Sequence, residues 1–233
     1  MDYHYTPPPV PTLARWRRLY RSHPGLSVLR VLEYEALAAQ PLAGRVLDVG
    51  GGAKSPYVSH MSQGIEVESV NIDPKIEPTY LIEPGERFPV PEARYDHVIC
   101  LNTLEHIYDA ASVLKDIRRV LKPGGTAIVT VPWIFRIHAH PDDYFRATPS
   151  WWRESFERAG FSQLELQPLV WGRYTSASAI SGHRGPFPRL MFHGAHLRDW
   201  LYALLTVRGG TYSGKRGERI CAVSSGWMMI GEA

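Results

Sequence analysis

The feature that most constrains this chain is a short apolar strand that runs directly into three glycines. Residues Arg45 to Val49 (RVLDV) have the continuous apolar character of a buried strand, and Gly50, Gly51 and Gly52 follow at once. In a doubly wound α/β sheet, a glycine-rich first turn lets a ligand approach the backbone at the carboxyl ends of the strands. The sequence therefore predicts a ligand-binding turn at this position.

Strand and helix patterns alternate along the chain and predict a mainly parallel sheet with helices on both faces. Further strands are predicted at residues 67–72, 97–101, 126–131 and 161–166, and helices at 104–121 and 150–159. The chain is predicted to have four regions. They are an N-terminal helical cap at 1–44, a core at 45–168, an insertion at 169–218 and a last strand within 219–233. The cap starts with an unstructured proline-rich segment, and the insertion contains a helix at 190–205.

Composition limits the classes of function. A chain of 233 residues with 44% hydrophobic residues suits one compact domain. The net charge of +3 is too small to indicate nucleic-acid binding without a basic stripe. The sequence has no uninterrupted apolar run near the roughly 18 residues of a membrane span and no secretory signal pattern, so we expect a cytoplasmic protein.

The spacing after the first strand argues against a dinucleotide site. A G-x-G-x-x-G motif counted from Gly50 requires a third glycine where this chain has Ser55. Asp73 follows the second strand, where an acidic residue can accept hydrogen bonds from ribose hydroxyls. The alternative for Asp73 is a turn residue before Pro74.

Five fragments in order resemble the class I methyltransferases, and in particular the type 11-like branch that acts on small molecules. They are VLDVGGG at 46–52, the aspartate after the second strand, NTLEH at 102–106, LKPGG at 121–125 and VPW at 131–133. The likeness spans residues 45–166. It implies a Rossmann-like, doubly wound, mainly parallel sheet of seven strands with an antiparallel last strand, and S-adenosylmethionine as the cofactor.

The resemblance also implies which residues bind the cofactor. Asp48, with Gly50, Gly51 and Gly52, is expected near the amino group of the methionine part, and Asp73 at the ribose. Glu83 or Glu86 is expected at the adenine, and an ordinary solvated loop is the alternative for both. Asn102 and His106 are expected to line the methionine end.

The acceptor is expected at the loop that follows the strand at 126–131. His138 is the candidate general base, because an imidazole can accept a proton at neutral pH. His140 and Asp143 are further catalytic candidates, and Tyr144 and Arg146 are candidates for substrate binding. Alternatively, Asp143 and Arg146 form an ion pair that orders the loop, while Thr148 caps the next helix. No Cys or His cluster has metal-ligand spacing, so no metal is expected.

The function predicted from these features is S-adenosylmethionine-dependent methylation of a small molecule, such as a glycan precursor or a specialised metabolite, with oxygen as the acceptor atom. Two alternatives are a catalytically silent cofactor-binding scaffold and an NAD-dependent oxidoreductase.

The insertion is rich in basic residues, with seven Arg and Lys residues against two acidic ones between residues 170 and 218. This excess fits an anionic acceptor or a solvated basic surface. The insertion is predicted to act as an acceptor lid or an oligomer contact, and the sequence is compatible with a homodimer.

Overall fold

A mixed sheet of eight strands runs through the computed structural model, which describes residues 1–58, 61, 64–138, 142–180 and 187–233. The strands are β1 (Asp2–Tyr5), β2 (Arg45–Val49), β3 (Glu66–Asn71), β4 (Tyr80–Leu81), β5 (Tyr95–Leu101), β6 (Leu121–Pro132), β7 (Gln163–Leu169) and β8 (Gly226–Glu232). The α-helices in these ranges are α1 (Leu13–Ser22), α2 (Val28–Ala38), α3 (Ala110–Val120), α4 (Pro149–Ala159), α5 (Arg173–Ile180), α6 (Pro188–Thr206) and α7 (Gly214–Cys221).

The strand order confirms the predicted Rossmann-like architecture. Across the sheet the order is β1, β7, β8, β6, β5, β2, β3 and β4. β8 is antiparallel to β6 and to β7, and every other neighbouring pair is parallel. The carboxyl ends of β2, β3, β5 and β6 therefore meet at one edge, where the glycine turn was expected to bind a ligand.

The two faces of the sheet carry separate layers of core residues. Val46, Ile99 and Ile128 pack in a cluster with residues of α1 and α2. Leu47 and Val98 are the chain neighbours of Val46 and Ile99, and they pack in a second cluster with residues of α3 and α4. Because successive side chains of a strand point to opposite faces, this division confirms the expected helices on both sides.

The N-terminal segment differs from the prediction. Residues Asp2–Tyr5 form β1, which pairs in parallel with β7 and makes the sheet one strand wider than predicted. All four side chains are exposed, so the strand lacks the apolar pattern by which a strand is recognised in a sequence. Its backbone pairing is extended by hydrogen bonds from Asp2 N to Ser162 O and from Thr6 N to Leu166 O.

Three predicted boundaries also change. The helix predicted at 104–121 is divided into a 3-10 turn, Leu104–His106, and α3, because Asp109 caps α3 through a hydrogen bond from Ser112 N. β6 starts at Leu121, directly after α3. The last strand starts at Gly226 instead of near Arg219, because residues 214–221 form α7.

The insertion packs against the N-terminal helices. α6 matches the helix predicted at 190–205, and Trp16 of α1 stacks on His196 of α6 with ring centroids 5.4 Å apart. The Tyr20 hydroxyl lies 3.1 Å from Nε2 of the same histidine. Among the described ranges, no helix is both long and apolar enough to cross a membrane.

Candidate active site

The glycine turn lies between the ends of three strands. Gly50 follows β2 with a φ of 87°, in the left-handed region that favours glycine. A Cβ on Gly50 would come within 2.2 Å of the Thr103 hydroxyl oxygen, and one on Gly52 within 2.3 Å of the Ile76 carbonyl oxygen. The turn is therefore held against the segments that follow β5 and β3.

Asp48 is buried directly beneath this turn. A Cβ on Gly51 would come within 1.8 Å of an Asp48 carboxylate oxygen, and the Tyr57 hydroxyl donates to that carboxylate at 2.9 and 3.0 Å. Burial raises the pKa of Asp48 to about 7, although the Tyr57 hydrogen bond favours the charged form. The Tyr57 hydroxyl thus contacts both oxygens of the carboxylate that was expected near the amino group.

The end of β3 is tied to the glycine turn by a residue that the sequence did not identify. The side-chain amide of Asn71 donates to Gly50 O at 2.5 Å, and its Oδ1 accepts from Asp73 N at 3.0 Å. Asp73 in turn accepts from Lys75 N at 2.9 Å and caps the 3-10 turn that begins at Pro74. Asp73 is half-buried. The turn role predicted as the alternative for Asp73 is thus present, next to the expected ribose position.

The predicted adenine loop is a surface turn. Glu83 and Glu86 are both exposed, and the Glu86 carboxylate accepts a hydrogen bond from Glu83 N at 2.9 Å. This bond closes the turn around Gly85. The geometry matches the solvated-loop alternative and places both carboxylates after β4.

Asn102 connects the end of β5 to a buried carboxylate on α2. Its backbone is left-handed with a φ of 47°, and its Nδ2 donates to Glu33 Oε1 at 2.5 Å. Glu33 is fully buried, pairs with Arg30 at 2.9 Å and accepts a hydrogen bond from the Thr130 hydroxyl. Sequence reasoning missed Glu33, because a helical glutamate three residues after an arginine and two before another glutamate resembles a solvated residue.

The loop after β6 is ordered by an ion pair. Both Asp143 oxygens accept from Arg146, and Asp143 Oδ2 also accepts from His138 N at 2.9 Å. The hydrogen bonds from Arg146 lower the pKa of Asp143 to about 2, so this carboxylate is a weak base at neutral pH. The geometry agrees with the predicted alternative in which the pair orders the loop. His140 lies outside the described residues.

Other candidates of this loop lie near its ends. Tyr144 is exposed, and its backbone N–H donates to Glu105 O at 2.9 Å. Thr148 occupies the N-cap position of α4, but within the described chain its side chain makes no capping hydrogen bond. Thr148 therefore marks the start of the helix without the side-chain cap that was expected.

Two histidines and a glutamate meet where β5 and β6 end. Nε2 of His106 lies 3.6 Å from Glu105 Oε1, and Nε2 of His138 lies 3.8 Å from the same oxygen. Burial raises the pKa of Glu105 to about 8 and lowers the pKa of His138. Metal-ligand spacing in the sequence does not reveal this group of three side chains. His106 and His138 are 32 residues apart, and they are close in space because β5 and β6 are neighbours in the sheet.

Comparison with known proteins gives a family match over most of the chain. A family model described as a methyltransferase domain matches residues 20–171. A curated relative, the ubiquinone biosynthesis O-methyltransferase of Xanthomonas axonopodis pv. citri, is 28% identical over 108 residues, which cover 40% of this chain and 45% of that protein. The match thus spans less than half of that relative's length.

Solved structures share the fold at low sequence identity. A methyltransferase in complex with the Haloferax volcanii activator Trm112 aligns with a TM-score of 0.56 and 17% identity, over 95% of this chain and 94% of that one. A SAM-dependent methyltransferase of Thermotoga maritima aligns with a TM-score of 0.54 and 14% identity, over 94% and 95%. At these identities the likeness concerns the fold.

Proposed function

The chain belongs to the family of methyltransferase domains, and we propose that it transfers the methyl group of S-adenosylmethionine to an oxygen of a small-molecule acceptor. The observation that carries the proposal is the glycine turn, which lies between the carboxyl ends of β2, β3 and β5. Oxygen as the acceptor atom is supported by the similarity to a ubiquinone biosynthesis O-methyltransferase.

An unpaired polar atom beside the turn fits the proposed cofactor. Oδ1 of Asn102 is buried and accepts no hydrogen bond from the described residues. The ammonium group of a methionine moiety would supply the missing donor. In this arrangement the backbone of residues 50–52 lies along the cofactor, Asp73 binds the ribose, Glu83 or Glu86 borders the adenine, and Asp48 supports the turn from below.

His138 is the proposed base. When bound, the cofactor supplies a methyl group activated by a sulfonium. The protein then has to align the acceptor and remove its proton. The Nδ1 side of His138 faces the Arg136 carbonyl, at 3.3 Å, and Nε2 faces the cluster at the ends of β5 and β6. This orientation allows Nε2 to receive the hydroxyl proton, while Asp143 and Arg146 hold the loop.

The cap and the insertion are proposed to cover the acceptor. Phe135 packs in the same cluster as Leu19 of α1, Tyr34 of α2 and Phe192 of α6. Its ring centroid lies 5.5 Å from that of His138. The N-terminal helices and the insertion thus border the loop that carries the proposed base.

The test of this proposal is binding followed by transfer. Calorimetric titration of the full chain should detect S-adenosylmethionine and no comparable affinity for NAD. With methyl-labelled cofactor and small-molecule extracts, labelled product and S-adenosylhomocysteine should form together. Binding without transfer to any acceptor would support a silent scaffold, and preferential binding of NAD would reject the proposed cofactor.

Replacement of His138 tests the proposed base. His138→Ala should lower turnover by roughly a hundredfold or more with nearly unchanged cofactor affinity, because general base catalysis contributes about 10²–10⁴ in rate. His4→Ala, at an exposed position on β1, is the matched control and should keep full turnover. A His138→Ala enzyme as active as this control would remove His138 from the mechanism.

A further inference from the structure

We propose that Glu105, His106 and His138 bind one divalent transition-metal ion of the Zn²⁺ type. Each residue directs one donor atom into the same small volume, and the three atoms lie within 4.8 Å of one another. Two ligands of one tetrahedral zinc ion are about 3.4 Å apart, given metal-ligand distances near 2.1 Å. The two distances from Glu105 to the histidines, 3.6 and 3.8 Å, exceed this value only slightly.

The carboxylate of Glu105 supports an ion independently of these distances. Glu105 is 1% exposed, and neither of its oxygens accepts a hydrogen bond from the described part of the chain. Buried polar atoms in native proteins are almost always paired, so an orphaned carboxylate that faces two imidazoles needs a partner. A bound cation would satisfy it directly.

The outer ring nitrogens of both histidines are arranged as in metal sites. Nδ1 of His106 contacts the Asp142 carbonyl, and Nδ1 of His138 lies 3.3 Å from the Arg136 carbonyl. A carbonyl can only accept, so the contact of His106 favours a proton on Nδ1 and a free lone pair on Nε2. Nδ1 of His138 has a second acceptor nearby, Asp143 Oδ2 at 3.4 Å, and one donor, Arg146 Nη2 at 3.4 Å. Two acceptors against one donor favour the same tautomer in His138. Metal-binding histidines usually donate their second N–H to such a group, which fixes the ring and the tautomer.

The surrounding charges are compatible with a cation. Nη2 of Arg146 lies 3.4 Å from Nδ1 of His138, but the charge of this arginine is paired with both oxygens of Asp143. Two imidazoles and one carboxylate favour zinc or iron over magnesium, which prefers oxygen ligands. A bound ion would occupy the lone pair of His138 Nε2, so the base role proposed for this atom applies to the metal-free protein. The ion would instead act as a Lewis acid that lowers the pKa of a bound acceptor hydroxyl, whose proton would pass to water.

Titration of Zn²⁺ into the chelator-treated full chain, without cofactor or acceptor, tests the inference. We expect one ion per chain, with Mg²⁺ binding much more weakly. His106→Ala, His138→Ala and Glu105→Gln should each weaken Zn²⁺ binding at least about tenfold, whereas His4→Ala should leave it unchanged. Because Glu105→Gln keeps the shape of the side chain, it remains informative if a histidine variant fails to fold.

Co²⁺ provides a second readout in the unaltered protein. An ion held by two histidines and a carboxylate should give visible absorption bands that Zn²⁺ displaces. Absence of Zn²⁺ binding, or binding that all three variants retain, would overturn the inference. Either result would leave binding of S-adenosylmethionine at the glycine turn intact, so the failure of the metal site is distinguishable from the failure of the proposed function.

Discussion

At the scale of single residues, neighbouring atoms decide what Asp48 and Asp73 can do. Asp48 was identified from the motif VLDVGGG at the end of the first predicted strand, and Asp73 from its position after the second. In the structure Asp48 is covered by Tyr57, while Asp73 caps a 3-10 turn and accepts from only one backbone N–H there. Asn71, two residues before Asp73, forms the direct link to the glycine turn.

The burial of Asp48 predicts how stability depends on pH. Its pKa of about 7 in the folded state exceeds the ordinary value near 4, so the folded state binds more protons between these pH values. Stability therefore falls as the pH rises from about 4 to 7, and the loss is complete above 7. The Asp48→Asn variant has no carboxyl group at this position, so it lacks this contribution to the pH dependence of stability.

Thermal denaturation from pH 4 to pH 9 measures this effect. The difference in Tm between Asp48→Asn and the unaltered protein should move in favour of the variant up to pH 7 and then stay constant. Asp2→Asn, on the exposed β1, serves as the control and should show no such trend. A constant difference across the whole range for Asp48→Asn would mean that Asp48 titrates normally.

Two replacements of Asp73 separate ribose binding from the cap. Asp73→Asn keeps an acceptor for Lys75 N and for one ribose hydroxyl, whereas Asp73→Ala loses both and should cost about 1 kcal/mol of stability. The affinity for the cofactor, measured by calorimetry, should be lower in Asp73→Asn than in the unaltered protein and lower still in Asp73→Ala. If only the Ala variant loses stability and neither loses affinity, Asp73 has the turn role alone.

At the scale of elements, the region between β5 and β6 shows why boundaries are harder to predict than elements. Leu114, Ile117 and Val120 have helical spacing, and the structure confirms a helix there. The apolar pattern also extends back to Leu104 and hides the break before Asp109. That break matters for the site, because the turn Leu104–His106 presents Glu105 and His106 beside the loop after β6.

Capping bonds at α3 and α4 provide a matched pair of variants. Asp109 accepts from Ser112 N, whereas Thr148 makes no capping bond with its side chain in the described chain. Asp109→Ala should therefore cost about 1 kcal/mol in urea denaturation, and Thr148→Ala close to zero. Equal losses for the two variants would show that the N-cap bonds do not determine the stability of these helices.

At the scale of the whole molecule, the sequence predicted the sheet and the glycine turn, because strands buried on both faces and glycine-rich turns leave local patterns. β1 leaves no such pattern, since its four side chains are exposed. The contact of Glu33 with Asn102 and the cluster of His106 with His138 join residues that are distant in the chain. Such contacts depend on which elements are neighbours in the fold, and this order cannot be read from the spacing of residues along the chain.

A structure of the protein with S-adenosylhomocysteine bound tests the central claim most directly. The ligand should lie across the carboxyl ends of β2 and β3, with its ribose hydroxyls at Asp73, its homocysteine part along residues 50–52 and its amino group within hydrogen-bonding distance of Asn102 Oδ1. A ligand bound away from the glycine turn, or one that leaves both Asp73 and Asn102 without contact, would contradict the proposed site.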